Sequence, residues 1–146
     1  MDILAELKKT LEKNRENLVL SIERAKEARD KAPSAMESHH DTTRNQNEKL
    51  VAALESELKE FDRRIEKLPD KLLDNNEVIS LWSLVKLKNA DNKLSILLVP
   101  EGFGGKKLGD ITTVTASTPL GMAVLNKTVG ENYEINSIVG TVEEIS

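Results

Sequence analysis

The sequence predicts an α+β protein in which an N-terminal antiparallel α-helical coiled-coil hairpin precedes a small antiparallel β domain with one short helix. Between residues 4 and 68, apolar residues recur at steps of three and four, which is the period of a coiled-coil seam. From residue 79 onward the period is two, with turn-forming residues between short runs, which is typical of strands. We therefore assign residues 1–69 to the hairpin, 70–77 to a linker and 78–146 to the β domain.

Each arm of the predicted hairpin carries one narrow apolar stripe. The stripe of the first arm consists of Leu4, Leu7, Leu11, Leu18, Ala25, Ala28 and Ala32. The stripe of the second arm consists of Val51, Leu54, Leu58, Phe61, Ile65 and Leu68. Asn14 and Ser21 fall on seam positions of the first arm, although Ile22 lies next to Ser21. Pro69 ends the second helix, because proline disfavours helical geometry in the residue before it. Two such stripes can cover each other in an antiparallel pair, which puts residues 32–44 at the tip.

The β domain is predicted to consist of short strands with one helix between them. The strands are expected at residues 79–87, 93–99, 111–115, 134–138 and 141–145, with turns at 89–92 and at Gly140. Thr118 is a suitable N-cap with Pro119 at the first helical position, and Asn126 can adopt the left-handed conformation that ends a helix. The glycine-rich stretch 101–107 lacks the spacing of a phosphate-binding loop, so we interpret it as a strand connection.

The composition excludes several classes of protein. The chain of 146 residues has a net charge of −4 and no run of like charge, so we expect no autonomous binding to DNA and no binding to a membrane. It has no cysteine, which excludes disulfides and thiolate metal sites. No apolar run approaches the roughly 20 residues that cross a bilayer, and the first residues lack the order of a secretory signal. We expect a cytoplasmic protein.

One segment of the β domain resembles a known family. Residues 117–131 read S-T-P-L-G-M-A-V-L-N-K-T-V-G-E, which resembles the S-P-L-G-x-A-L-L-G-K-x-V-G-D of the Gre transcript-cleavage and elongation factors, such as GreA and GreB. Glu27-Ala28-Arg29 resembles the E-A-R that closes the first helix of that family. The hairpin and the strands fall in the family's order, so the resemblance covers nearly the whole chain. It implies an FKBP-like fold for the C-terminal domain.

The resemblance also implies a function. Gre factors bind the core of bacterial RNA polymerase, their C-terminal domain docks beside the secondary channel, and their coiled coil enters it. In cleavage-competent members, two acidic tip residues help hold a second Mg²⁺ at the polymerase active site and promote hydrolysis of backtracked RNA. The resemblance therefore implies a transcription elongation factor that is not itself an enzyme and at most stimulates the cleavage activity of polymerase. It implies no tightly bound cofactor, Mg²⁺ shared with polymerase, and indirect contact with nascent RNA.

Several residues of this sequence are the candidates for those roles. Thr118, Pro119, Leu120 and Gly121 lie in the matching segment, and the resemblance implies that they contact the partner. Arg44 near the tip is a further candidate for partner binding, since it can pair with an acidic or phosphate group.

The tip departs from the family's D-L-S-E-N-type motif. An ungapped alignment on Glu27-Ala28-Arg29 places the motif's Asp at Pro33 and its Glu at Met36, and a shift by one residue recovers only one acid, Glu37. The nearest pair of carboxylates is Glu37 and Asp41, which share a helix face at a spacing of four. We therefore take Glu37 and Asp41 as the candidate catalytic acids.

Other interpretations of the tip stay open. Ser34 and Glu37 have the spacing of a capping box, in which the glutamate binds backbone amides at a helix start. The cluster Glu37, His39, His40 and Asp41 contains ligands that suit a transition metal, so an independent metal site with Glu37, His40 and Asp41 is an alternative.

Three alternatives to a cleavage factor also stay open. One is a regulator that occupies the polymerase channel without stimulating cleavage. Another is a coiled-coil adaptor or structural protein with no role at polymerase. The third is a peptidyl-prolyl isomerase, suggested by the implied FKBP-like fold alone. An isomerase site needs an aromatic-lined pocket, and the β domain has just Trp82, Phe103 and Tyr133 as aromatic residues.

Overall fold

The computed structural model describes residues 2–31, 38–72 and 77–146, with the backbone alone described for residues 38–44. The helices are α1 (Ile3–Lys31), α2 (Ser38–Glu66) and α3 (Pro119–Val124). The strands are β1 (Leu84–Asn89), β2 (Asn92–Val99), β3 (Lys107–Leu108), β4 (Ile111–Thr115), β5 (Asn132–Ile135) and β6 (Ile138–Ile145). The predicted α+β class, with two long helices before a β-rich half, is confirmed.

The chain divides into two compact units. Lys8–Leu68 form one, which we call the hairpin unit, and the start of α1 up to Leu7 together with Pro69–Ser146 forms the other, the sheet unit. Residues 73–76 of the predicted linker lie outside the described residues. None of the described helices is both long enough and apolar enough to cross a bilayer.

Two ion pairs show that the helices of the hairpin unit run antiparallel. The Arg15 Nε lies 2.7 Å from the Asp62 Oδ1, and the Lys26 Nζ lies 3.7 Å from the Glu55 Oε1. Partners on α2 therefore move toward its start as partners on α1 move toward its end. This arrangement is the antiparallel hairpin that the sequence predicts.

The seam of the hairpin unit follows the predicted stripes with one shift. On α2, Val51 is buried and the five later stripe residues are half-buried. On α1, Ile22 is buried in place of Ser21, whose hydroxyl donates to the Asn17 carbonyl oxygen at 3.0 Å. The stripe moves by one residue because a straight helix has about 3.6 residues per turn, more than the 3.5 of a strict heptad. The same drift leaves the predicted seam position Ala28 exposed.

The six strands form one sheet in the order β3-β4-β2-β1-β6-β5. Every pairing is antiparallel except that of β2 with β4, which is parallel from Ser95↔Ile111 to Val99↔Thr115. The predicted antiparallel sheet is therefore corrected at this one pairing. The segment between the two strands allows it, because it is about as long as the dozen residues that a parallel crossover needs.

The two hairpin turns of the sheet differ in how well the sequence predicts them. The turn between β1 and β2 lies where predicted, with Asn89 opposite Asn92. The turn between β5 and β6 is formed by Asn136 and Ser137, both with positive φ (48° and 69°), and the predicted turn at Gly140 is wrong. Gly140 lies inside β6, where a Cβ atom would come within 2.3 Å of the Tyr133 ring.

The core of the sheet unit lies between one face of the sheet and α3. Its buried members are Ile79, Val85, Leu87, Ile96, Leu98, Val124, Tyr133, Val142 and Ile145. The alternation along β1 and β6 sends these side chains to one face, as period-two patterning requires. β1 begins at Leu84 and not at the predicted residue 79, because Trp82 has a φ of 70° and interrupts the extended backbone.

Candidate functional site

The start of α3 is built as the sequence predicts. Thr118 is the N-cap with extended backbone, and its Oγ1 accepts a hydrogen bond from the Gly121 N–H at 3.1 Å. The same hydroxyl donates to the Thr115 carbonyl oxygen at 2.8 Å, which ties the helix start to the end of β4. Pro119 occupies the first turn, where its missing N–H leaves no unmet hydrogen bond. Thr118 and Pro119 therefore have structural roles in fixing the direction of α3.

Gly121 is required by close packing of α3 against β4. A Cβ atom at this position would lie 1.9 Å from the Thr115 carbonyl oxygen, and a backbone atom cannot give way as a flexible side chain can. The absence of a side chain brings the helix against the strand end. The adjacent Leu120 is half-buried and packs against the core.

The end of α3 is held by β-like contacts to the segment before β1. Asn126 has a φ of 67°, as predicted for the residue that ends the helix. Its N–H donates to the Ile79 carbonyl oxygen at 2.9 Å, and the Ile79 N–H donates to the Lys127 carbonyl oxygen at 2.9 Å. Because Ile79 is fully buried, these bonds anchor the C-terminal end of α3 in the core.

The acid that closes the matching segment has a turn-forming role. Glu131 Oε1 accepts hydrogen bonds from the Thr128 hydroxyl at 2.7 Å and from the Thr128 N–H at 3.3 Å. The hydrogen bond from the Thr128 side chain, with Lys127 nearby, lowers the pKa of the Glu131 carboxyl. The ionised carboxylate thus stabilises the turn that leads into β5.

The glycine-rich connection after β2 lies against β4. Thr113, which is almost fully buried, donates its hydroxyl to the Phe103 carbonyl oxygen at 2.6 Å and accepts from the Lys106 N–H at 2.8 Å. A Cβ atom on Gly104 would lie 2.5 Å from the Thr115 Cγ2. The predicted strand connection is confirmed, and these bonds hold it close to the strand.

The connection, β4 and the start of α3 enclose a cleft of about 630 Å³. Its lining includes Glu101, Gly104, Thr115, Pro119, Leu120 and Ile135. The lining is mainly apolar and has one carboxylate, that of Glu101, which accepts a hydrogen bond from the Ser117 hydroxyl. Such a cleft can receive apolar side chains of a partner, with the carboxylate at its margin to orient a polar group.

A second cavity of about 520 Å³ adjoins the cleft, because Leu120 and Ile135 line both. Tyr133 and Leu94 belong to its lining, and burial raises the pKa of the Tyr133 hydroxyl. The first cleft has no aromatic residue in its lining, whereas Trp82 and Phe103 pack on each other with their ring centroids 5.5 Å apart. An aromatic-lined pocket of the kind that a prolyl isomerase needs is therefore not found at the cleft.

The structure does not describe the side chains of the predicted tip residues. Glu37 is outside the described residues, and His39, His40, Asp41 and Arg44 belong to α2 with only their backbone described. The hypotheses for these side chains, catalysis, capping, metal binding and partner binding, thus stay predictions. Among the side chains that the structure describes, no group of three or more His, Cys, Asp or Glu could hold a metal ion.

The sequence gives no indication of the other cleft residues. Glu101, Thr115 and Ile135 come from three separate segments, and only the pairing of β4 with β2 and the packing of α3 bring them together. The resemblance of residues 117–131 to the Gre factors points to Thr118, Pro119, Leu120 and Gly121 and does not extend to these three residues.

Comparison with known proteins finds several similar solved structures. No protein-family model matches the chain, and no curated protein matches it. GreA factor homolog 1 (Gfh1) of Thermus thermophilus is 18% identical, with 95% of this chain and 94% of that chain covered and a TM-score of 0.43. A second structure, of the transcription factor Gfh1, is 18% identical over 94% and 92% at a TM-score of 0.42. Thermus aquaticus Gfh1 is 21% identical over 95% and 90% at a TM-score of 0.42.

Proposed function

We propose that this chain is a transcription factor that binds bacterial RNA polymerase and acts through its secondary channel. The observation that carries the proposal is the segment 117–131, which resembles the Gre factors in sequence and forms one wall of an apolar cleft. The geometry gives that segment two kinds of residue. Thr118 and Gly121 set the direction and the packing of α3, and Pro119 and Leu120 line the cleft where a partner can dock.

The hairpin unit supplies the part that enters the channel in this proposal. It contains α2 and all of α1 except its first residues, up to Leu7, and each of these helices has 29 residues, which corresponds to a length of about 43 Å. The helices cover each other along a narrow seam, and most of the side chains described around it are exposed and polar. Such a surface suits a water-filled channel, since entry removes little apolar area from water and keeps the hairpin separable from its binding site.

The action at the end of the hairpin follows from Glu37 and Asp41 in one version of the proposal. Two carboxylates one helical turn apart are hard oxygen ligands that suit Mg²⁺, and a second Mg²⁺ at the polymerase active site supplies activation of water for RNA cleavage. The chain then contributes ligands, and the cleavage activity belongs to polymerase. In the other version the hairpin occupies the channel and regulates without cleavage, which the missing family motif at the tip favours.

Docking is tested by affinity for core RNA polymerase at physiological salt. We expect the parent chain to bind, and Leu120→Ala to weaken binding at least about tenfold, since truncation of a buried interface anchor commonly removes that much. Met122→Ala is the matched control, because Met122 lies on the same helix and is 63% exposed outside the cleft. Circular dichroism of each variant checks that it is folded. Absence of binding by the parent chain contradicts the proposal.

Cleavage is tested separately on a stalled, backtracked elongation complex with Mg²⁺. If the tip acids act, the parent chain releases short RNA fragments and the double variant Glu37→Ala, Asp41→Ala releases them at least about tenfold more slowly. Glu57→Ala is the control, since Glu57 is an exposed acid elsewhere on α2. Binding without fragment release by the parent chain selects the channel-occupying version. Equal release by the parent and the double variant removes Glu37 and Asp41 from the mechanism.

A further inference from the structure

β5 is an open edge of the sheet. It has four residues and pairs only with β6 among the described strands. The opposite edge is different. There β3 has two residues, the first of which is Lys107, and Lys106 directly precedes it. Short edges and lysines prevent strands from pairing with other chains. β3 is therefore protected and β5 is not.

The register of the β5–β6 hairpin shows which backbone groups face outward. Ile135 and Ile138 flank the two-residue turn, so they exchange both backbone hydrogen bonds, and Tyr133 and Gly140 form the next such pair. The N–H and C=O groups of Asn132 and Glu134 consequently point away from β6. Both residues are exposed. The edge thus offers two donors and two acceptors in the alternation that another strand needs.

Nothing within β5 blocks pairing. The strand reads Asn-Tyr-Glu-Ile, without proline or lysine, and its ladder with β6 has no bulge. Beside it, Ile138 and Val139 of β6 are 51% and 55% exposed, which places apolar side chains next to the open edge. Glu134 is the single charge on the strand, so it decides which neighbour the edge accepts.

We propose that β5 pairs antiparallel with β5 of a second copy of this chain, so that two sheets join across a two-fold axis. Outward-facing residues must meet outward-facing residues, which leaves a few registers. Glu134 against Glu134 of the other copy sets two carboxylates on Cβ atoms about 5 Å apart, which is destabilising. Asn132 against Glu134 has no such conflict, and the two-fold axis repeats the pair with the roles exchanged.

The Asn132 side chain is oriented for this pairing. Its Oδ1 already accepts a hydrogen bond from the Thr141 hydroxyl at 3.1 Å, so its amide N–H groups remain as donors. In the proposed register each amide donates to the Glu134 carboxylate of the other copy, and each Asn132–Glu134 pair exchanges both backbone hydrogen bonds. Lys127 lines a shallow cavity together with Asn132 and Glu134, and its Nζ lies 3.8 Å from the Glu131 Oε2, with which it forms an ion pair. The edge is thus complementary to itself, which favours a second copy over an unrelated strand.

Sedimentation velocity of the full chain tests the proposal over concentrations from about 1 µM to 1 mM. We expect a monomer–dimer equilibrium. Asn132→Lys places a cation opposite Glu134 and should lower the dissociation constant of the dimer about threefold or more. Asn132→Glu should raise it by a similar factor. The two-fold axis repeats the substituted pair, so each substitution acts twice in the dimer. Lysine cannot accept the hydrogen bond that the Thr141 hydroxyl donates to Asn132 and glutamate can, so circular dichroism of both variants checks that they are folded. Asn92→Lys and Asn92→Glu, on the exposed β1–β2 turn, are the controls and should leave association unchanged.

A proline substitution on β5 distinguishes dimerisation through this edge from association through any other surface. Glu134→Pro removes an outward N–H and keeps the β6 ladder, because the Glu134 N–H takes no part in that ladder. We expect the variant to stay monomeric at every concentration, with its helix and sheet content confirmed by circular dichroism. A parent chain that is monomeric throughout the range overturns the proposal. Equal shifts by Asn132→Lys and Asn132→Glu, or a dimer that survives Glu134→Pro, overturn it as well.

Discussion

The hairpin unit and the sheet unit bury their apolar residues to different depths. In the described part of the hairpin unit, the buried apolar side chains are Leu11, Ile22, Ala25 and Val51, and the other apolar residues of the predicted seam are half-buried, apart from the exposed Ala28. In the sheet unit, residues such as Leu98 and Val124 have no exposed surface at all. A helix satisfies its backbone hydrogen bonds internally, so a narrow seam is enough to pair two of them. A sheet must bring distant segments together, and its stability depends on a closed core.

The largest loss of stability is expected from truncating a fully buried leucine of the sheet unit. Leu98→Ala should lower the free energy of unfolding by about 3 kcal/mol, because Leu98 is fully buried. Leu58→Ala, at a half-buried seam position of α2, should lower it by about 1 kcal/mol, since water already reaches part of the side chain. Urea denaturation of each variant measures the difference. Equal losses would show that the two units do not differ in burial as described.

A smaller effect is expected where the sheet excludes a single methyl group. Gly140→Ala should lower the free energy of unfolding by about 1–3 kcal/mol, because the new Cβ atom would meet the Tyr133 ring and the ring must move. Adding Tyr133→Leu should cost less in this variant than in the parent chain, since the clash is then relieved. Additive losses in the double variant would exclude the ring contact as the cause.

The turn between β5 and β6 should respond in the opposite direction. Ser137 holds a φ of 69°, which disfavours a residue with a Cβ atom and suits glycine after an asparagine. Ser137→Gly should therefore raise the free energy of unfolding by about 0.5 kcal/mol. This is the gain from relieving the strain of the positive φ, less the cost of the greater freedom that glycine gives the unfolded chain. Ser95→Gly within β2 is the control and should lower stability. Thermal denaturation followed by circular dichroism distinguishes the two.

The smallest effect is expected for the ion pair of the hairpin unit. The hydrogen bond from the Arg15 guanidinium lowers the pKa of the Asp62 carboxyl. The resulting stabilisation is present above the unfolded-state pKa of about 3.9 and is lost as the pH falls through the lower folded-state value. Asp62→Asn should thus lower the melting temperature slightly at pH 7 and not at all well below pH 3. A difference that persists at low pH would contradict the pairing, and Glu57→Gln on α2 is the matched control.

The features that sequence predicts well are local ones. The two seams, the Thr118 cap, the Asn126 helix end and the Asn89–Asn92 turn each depend on a few neighbouring residues. The parallel pairing of β4 with β2 cannot be predicted in this way, because either orientation buries the same side chains. Glycine misleads at Gly140, where it indicates a turn and in fact accommodates the Tyr133 ring.

The residues of the candidate site also differ in whether the sequence alone predicts them. Thr118 to Gly121 are found from their sequence, whereas the cleft that they line depends on Glu101 and Ile135 from distant segments. The predictions for Glu37, Asp41 and Arg44 concern side chains outside the described residues, and the experiments with polymerase address them directly.

The position of Trp82 has a consequence for optical spectroscopy. It is the single tryptophan of the chain, it lies in the sheet unit, and its ring packs on Phe103. Its fluorescence therefore reports on the sheet unit, while the far-ultraviolet circular dichroism at 222 nm comes mainly from α1 and α2, at 29 residues each. Melting curves recorded by the two signals from one sample show whether the units unfold together or in sequence.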